Sequence, residues 1–374
     1  MPRYFLDHSA TVVLLLALTT AALPGLAASP EGMVAWEDGM STIVQAPPGR
    51  GAWYPRLLIL PDGRWLAAYD TNIGAAHGHT LIQVAESNDQ GHSWRPLAVA
   101  SFGHEVADAA NPSLALGPDG SVFLAYRLVR PGHYEIKLSV SRDGGRSFRP
   151  LSTVATGTRG LWEPAIGWVK DELWVFYSSE ERAPLYPQAI CLRRSRDGGV
   201  NWEPEELVTR NPRSRDGMAA WAVVGESVYL AYEATDQGNP FAIRMIHSND
   251  GGLTWSEPHL VYRPADSRKR ASAPALVALA GPDGPSILVV AFQTDEDNRL
   301  ASGDQFTDVK YVYSLDGGLS WSSAFPVLAT VWPDQWAGLV LSDPAHGEIA
   351  LTVTAGNRLV VRRGRIPPPP DSNS

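Results

Sequence analysis

Two glutamates sit at the ends of apolar runs. Glu163 lies in Leu161-Trp162-Glu163-Pro164-Ala165-Ile166, and Glu233 closes Val228-Tyr229-Leu230-Ala231-Tyr232-Glu233. A carboxylate at the end of a buried segment is costly unless it is paired or opens on a site. Two carboxyls flanking one bond, one of them kept protonated, are what hydrolysis of a glycosidic bond needs. The competing reading is structural, with each glutamate bridging to Arg56, Arg127 or Arg215. Asp70, Asp108, Asp216 and Asp295 fall near the same places and are suited to orienting hydroxyls or tuning a neighbouring carboxyl. Asp216, beside Gly217, is expected to support the pair from behind.

The elements that must position these residues are read from repeats. One octapeptide recurs five times: SNDQGHSW (Ser87–Trp94), SRDGGRSF (Ser141–Phe148), SRDGGVNW (Ser195–Trp202), SNDGGLTW (Ser248–Trp255) and SLDGGLSW (Ser314–Trp321). Its aspartates are Asp89, Asp143, Asp197, Asp250 and Asp316, spaced 54, 54, 53 and 66 residues apart. This is hairpin-turn chemistry: the aspartate accepts backbone N–H groups, and glycine supplies positive φ. Between the octapeptides lies a second repeat of apolar run, turn and apolar run. Its six copies begin at Tyr54, Asn111, Glu163, Met218, Ala273 and Trp336. Apolar runs of this length around Asp-Gly turns are strands.

Six hairpins and five octapeptides fit a six-bladed β-propeller with four strands per blade. The hairpin gives strands one and two, and the octapeptide joins strands three and four. The last blade has its third strand around Arg358 to Arg363, so its outer strand is expected from the N-terminus, around Ser41 to Gln45. That pairing would remove an open edge. Strand direction then defines one rim, the mouth. It collects the strand-one entries Tyr54, Asn111, Glu163, Gly217/Met218, Ala273 and Trp336. It also collects the strand-two exits Asp70, Arg127, Ser179, Glu233, Thr294/Asp295 and Thr354. Trp53, Trp162, Trp221, Trp332 and Trp336 lie at or beside the entries, where flat rings can stack on sugar faces. Trp94, Trp202, Trp255 and Trp321 belong to the octapeptides and are expected to be structural.

Composition narrows the partners. The net charge is −9 with scattered basic residues, which argues against nucleic acid or an anionic membrane. Cys191 is the one cysteine, so an intramolecular disulfide and a cysteine-type zinc site are ruled out, and no HExxH spacing occurs. No metal and no cofactor are expected. Arg3 and His8 precede the apolar run Thr11 to Leu18 and the small residues Gly25-Leu26-Ala27-Ala28, the pattern of a signal peptide over 1–28. The mature chain is expected in the periplasm or outside the cell, as a monomer with a carbohydrate substrate. The propeller is expected over 29–366, followed by a disordered proline-rich tail over 367–374.

The octapeptide resembles the Asp-box, or bacterial neuraminidase repeat. Two Asp-box propeller families bear on function. YPRLL at Tyr54, GLWEP at Gly160, RDGM at Arg215, AYE ending at Glu233, Ala273-Pro274 and FQTDED at Phe292 resemble glycoside hydrolase family 93, the exo-α-1,5-L-arabinanases, in order and spacing. The similarity runs from about Trp53 to Asp343. It implies retaining chemistry with Glu163 as nucleophile and Glu233 as acid/base. Beside them, the residues read at the mouth are expected to form a substrate site drawing on Tyr54, Arg56, Asp108, Asn111, Trp162, Asp216, Asp295 and Trp336. Blade 6 departs from the pattern at Trp336-Ala337-Gly338-Leu339, and no tyrosine is assigned beside the nucleophile. The alternative enzyme is a sialidase-like hydrolase, which needs three arginines and a tyrosine nucleophile. Here Trp53 stands in the place of the first arginine, and Tyr311 and Tyr313 precede an octapeptide. A third reading is a non-catalytic platform that binds glycan or protein.

Overall fold

The computed structural model describes residues 32–75, 79–235, 237–281, 285–297, 306–332 and 334–367. The expected signal peptide, and all but Pro367 of the expected tail, lie outside the described residues. The fold is a six-bladed β-propeller built from six antiparallel sheets. Blades 1 to 5 each use four consecutive strands. Their first strands are Ala52–Ile59, Asp108–Leu116, Leu161–Val169, Asp216–Val224 and Ala271–Leu279. Blade 6 is formed by Gly338–Asp343, Glu348–Ala355 and Arg358–Arg365, and the last of these also pairs with Ser41–Gln45 and with Ala35–Trp36.

Second strands such as Trp65–Thr71 and Ile287–Thr294 are buried along their whole length. That is why they read as unbroken apolar runs instead of alternating ones. The buried side chains gather into clusters between neighbouring blades. One joins blades 3 and 4 through Trp174, Phe176, Leu230 and Tyr232; another joins blades 6 and 1 through Val361, Leu359, Trp65 and Tyr69. Each fully buried aliphatic or aromatic side chain contributes about 1.5–3 kcal/mol. No disulfide is involved, and Cys191 is itself buried in the cluster between blades 2 and 3. The first strands touch one another around the axis. They enclose a channel of about 250 Å³ lined by Leu57, Ser113, Pro164, Ala219, Pro274 and Gly338, one residue from each blade.

The five octapeptide turns share one bonding scheme. In the first, the Ser87 hydroxyl donates to Asp89 Oδ1 at 2.7 Å and accepts the Gly91 N–H at 2.8 Å. Asp89 also accepts the Ser93 N–H and hydroxyl, at 2.9 and 2.6 Å. The same contacts recur around Asp143, Asp197, Asp250 and Asp316. The serine hydroxyl and the aspartate carboxyl of each turn are thus occupied within the turn, which stabilises a hairpin.

Candidate active site

At the mouth, the backbone does the same thing six times. Tyr54, Asn111, Glu163, Met218, Ala273 and Trp336 all have positive φ, between 39° and 56°. None is glycine, and a left-handed conformation costs such residues on the order of 1–2 kcal/mol each. In blades 1 to 5 the ladder between the first two strands is broken by a bulge at this place, as between Trp162 and Ala165. The kink frees each of these N–H groups from the ladder.

The freed N–H groups turn to the end of the second strand of the preceding blade. The Tyr54 N–H donates to Thr354 Oγ1 at 3.2 Å, Met218 to Ser178 Oγ at 3.2 Å, Ala273 to Glu233 Oε2 at 2.9 Å, and Trp336 to Gln293 Oε1 at 3.2 Å. The Asn111 N–H favours negative charge on the Asp70 carboxyl. At Glu163 the corresponding residue is Arg127, which has no acceptor to offer. The exits are therefore Asp70, Arg127, Ser178, Glu233, Gln293 and Thr354. The expected exits Ser179 and Thr294/Asp295 are corrected by one residue or more in blades 3 and 5. A strand's side chains alternate between faces, so a slip of one residue turns the wrong side chain to the mouth.

Six-fold repetition puts titratable groups on adjacent blades into one charged ring. Glu233 is buried, and burial pushes its carboxyl up to about 7, helped by the Glu163 charge and opposed by the Ala273 N–H, Arg215 and Arg270. Glu163 is half-buried. Burial raises it also, but Arg127, Arg215 and the Ser178 hydroxyl all favour its ionised form. Asp70 is 8% exposed and pushed up to about 7 by burial, against the pull of Arg127, the Asn111 N–H and Arg56. Burial raises Tyr54 to about 12 against the pull of Arg56, with smaller help from the Glu163 and Asp70 charges, so its hydroxyl stays protonated among these carboxyls. The two expected glutamates thus share one electrostatic environment, in which burial raises both carboxyls and Arg215 acts on each. Carboxyls perturbed in this way are the raw material of acid/base chemistry.

The remaining expected residues divide into those at the ring and those away from it. Trp162 lies under the Arg127 guanidinium, 4.5 Å from ring centroid to Cζ, and its Nε1 donates to Glu180 at 3.1 Å. Arg215 donates to the same Glu180 oxygen at 3.0 Å. Trp336 packs with Tyr54, Met218 and Ala273 at the axis. Arg56 stacks on Tyr54 at 3.8 Å and donates to the backbone carbonyls of Pro55 and Trp336, so it ties blade 1 to blade 6. Asp295 accepts the Arg270 N–H at 2.7 Å, and Asp108 is exposed and accepts the Thr80 N–H at 3.0 Å. Asp216 is corrected outright. Its carboxyl takes the Ser214 and Thr209 hydroxyls and lines a crevice of about 710 Å³ between blades 3 and 4, with Tyr232 and Arg244. Its backbone pairs beside Glu233, yet alternation sends the side chain the other way. Residues the sequence reading passed over include Ser178, Gln293 and Glu180.

Among the described residues no group of three or more His, Cys, Asp or Glu is arranged to hold a metal ion. Among them, too, no helix is long and apolar enough to cross a membrane. Tyr311, considered as a nucleophile for the acidic-sugar alternative, is buried between blades 5 and 6 with its hydroxyl bonded to the Val34 N–H.

No protein-family model matches the sequence, and no curated protein matches it. Solved structures do. An α-L-arabinanase of Penicillium chrysogenum, solved with arabinobiose, is 18% identical and aligns with TM-score 0.69 over 87% of this chain and 98% of its own. The family 93 α-L-arabinofuranosidase of Fusarium graminearum, also with arabinobiose, is 19% identical, with TM-score 0.68 over 89% and 98%. The Hadza microbial sialidase Hz136 is 17% identical, with TM-score 0.62 over 84% and 66%. These likenesses establish the fold that the chain shares with them.

Proposed function

We propose that the protein is an exported, retaining exo-glycoside hydrolase of arabinanase type, with Glu163 as nucleophile and Glu233 as acid/base. One observation carries the reading: two carboxyls on adjacent blades at the mouth, Glu233 pushed up to about 7 by burial and Glu163 raised by burial against the pull of Arg127 and Arg215. In the first step a Glu163 oxygen forms a bond to the anomeric carbon. The bond to the leaving oxygen breaks as that oxygen takes the Glu233 proton. In the second step Glu233 takes a proton from water, the water oxygen attacks the anomeric carbon, and the ester to Glu163 breaks. Both structural neighbours solved with arabinobiose suggest the substrate class.

The acidic-sugar alternative fits less well. Its arginine clamp would need side chains free to face a ligand carboxylate, whereas Arg215 is held by Glu180 and Arg56 by backbone carbonyls. The test is incubation with linear α-1,5-arabino-oligosaccharides and, separately, with a sialoside, followed by chromatography of the products. Release of one short product from one chain end, abolished in Glu163→Gln, is expected. Sialoside cleavage, or undiminished arabinan cleavage by Glu163→Gln, would overturn the reading.

A further inference from the structure

The mouth of blades 1 to 3 contains polar atoms that the protein itself leaves unanswered. Asp70 Oδ1, Asn111 Oδ1 and Arg127 Nε are all buried and have no hydrogen-bond partner. Each such group costs stability unless something pairs with it. Three of the fifteen such atoms among the described residues fall together here. Asn111 and Arg127 are the entry and exit of blade 2, and Asp70 is the exit of blade 1. The Asn111 N–H and the Arg127 charge both act on the Asp70 carboxyl, and Arg127 also acts on Glu163.

Arg127 supplies the independent observation. In five blades the exit residue carries an oxygen toward the next blade's left-handed residue. In blade 2 that device is given up for a cation. The guanidinium is held by stacking on the Trp162 ring, 4.5 Å from the centroid, a contact that fixes the plane without using its N–H groups. A structural arginine would be expected to spend its donors on the protein, as Arg56 does on the Pro55 and Trp336 carbonyls.

We infer that Asp70, Asn111 and Arg127 form a cradle beside Glu163 that reads neighbouring hydroxyl groups of a neutral sugar. This rests on the glycosidase reading of the same mouth. The mix of groups selects the ligand: a carboxyl and an amide oxygen want donors, and a guanidinium wants an acceptor. A sugar hydroxyl is both at once. A ligand carboxylate would satisfy Arg127 but meet an ionised Asp70 as acceptor against acceptor. The amide serves a hydroxyl whichever way it is turned.

The test is binding by calorimetry to Glu163→Gln, which should hold a sugar without consuming it. The probes are arabinobiose, methyl α-L-arabinofuranoside and its singly deoxygenated forms, methyl β-D-xylopyranoside and glucuronic acid. Arabinobiose should bind and glucuronic acid should not. Asp70→Asn and Arg127→Lys, each confirmed folded by its circular dichroism spectrum, should weaken arabinobiose at least tenfold. Removing one ring hydroxyl should cost about tenfold in the Glu163→Gln background and little once Asp70→Asn is added, a coupling a merely structural role would not produce. Glucuronic acid binding as well as the neutral sugars, or cradle variants binding unchanged, would overturn the cradle while leaving an arabinan-cleaving enzyme intact. If only xyloside binds, and does so through Asp70, the cradle stands and the arabinan assignment falls. Failure of every neutral probe would sink both.

Discussion

The same blades carry two sets of carboxylates at opposite ends, and the protein treats them in opposite ways. In the octapeptide turns the aspartates are exposed and surrounded by donors. The Ser93 hydroxyl and N–H hold Asp89 down; Asn201 does the same for Asp197, which falls to about 2. At the mouth, Glu233 and Asp70 are buried, short of donors, and pushed up to about 7. A carboxylate ringed by donors is finished chemistry. One deprived of them retains a proton, or an unused oxygen, for something else. Repetition therefore teaches more by its exceptions: five octapeptides obey one rule, whereas the six mouth positions share a backbone and differ in every side chain.

The largest expected effect comes from breaking the mouth pair. Glu163→Gln should lower kcat by at least about 10³-fold, and Glu233→Gln by about 10²–10⁴-fold, with near-native circular dichroism in both. The Glu233 loss should shrink on aryl glycosides whose leaving group needs no proton, which steady-state kinetics on a leaving-group series would reveal. Next in size is the pH profile. Because Glu233 must be protonated for the first step, kcat/KM should fall as pH rises through about 7, and Glu233→Gln should abolish that limb.

Smaller effects belong to the turns. Asp197→Ala removes four hydrogen bonds at an exposed turn and should lower Tm by only a few degrees, leaving kcat/KM unchanged. An equal loss of activity would mean that the turns and the mouth are not separable. The smallest effect is opposite in sign at the two ends. Asp70 and Glu233 have raised values when folded, so their contribution to stability is fully present below the ordinary carboxylate range and lost as pH rises through about 7. The turn aspartates are lowered, so their contribution is present above that range and lost as pH falls toward about 2. Thermal melts across pH should show the alkaline loss flattened in Asp70→Asn and the acid loss flattened in Asp197→Asn.

The fold was legible because its signals are local. An octapeptide writes its own turn, and runs such as Ile287–Thr294 are apolar because both faces are buried. Glu163 and Glu233 were legible because a carboxylate at the end of such a run conflicts with its surroundings. That same apolar uniformity hid the register. Nothing in Tyr177-Ser178-Ser179 or Phe292-Gln293-Thr294 says which residue faces the axis until the six strands are overlaid. The buried aromatic or valine, followed by the exit residue, is then the recurring sign. Asp216 misled for a related reason: adjacency to Glu233 in the ladder is not adjacency of side chains. From the sequence Arg127 reads as a mouth exit and a bridging partner; its further meaning depends on what the other five blades have in its place.

The central claim is that Glu163 attacks the sugar. The most direct measurement is intact and peptide mass spectrometry after treatment with an arabinofuranosyl donor bearing fluorine at C2 and a good leaving group, which slows release of the glycosyl ester. The account predicts the addition of one glycosyl unit, mapped to the peptide containing Glu163 and absent in Glu163→Gln. A label on Asp70 or Glu233 instead, or turnover of arabinan by a protein that never acquires the label, would contradict it.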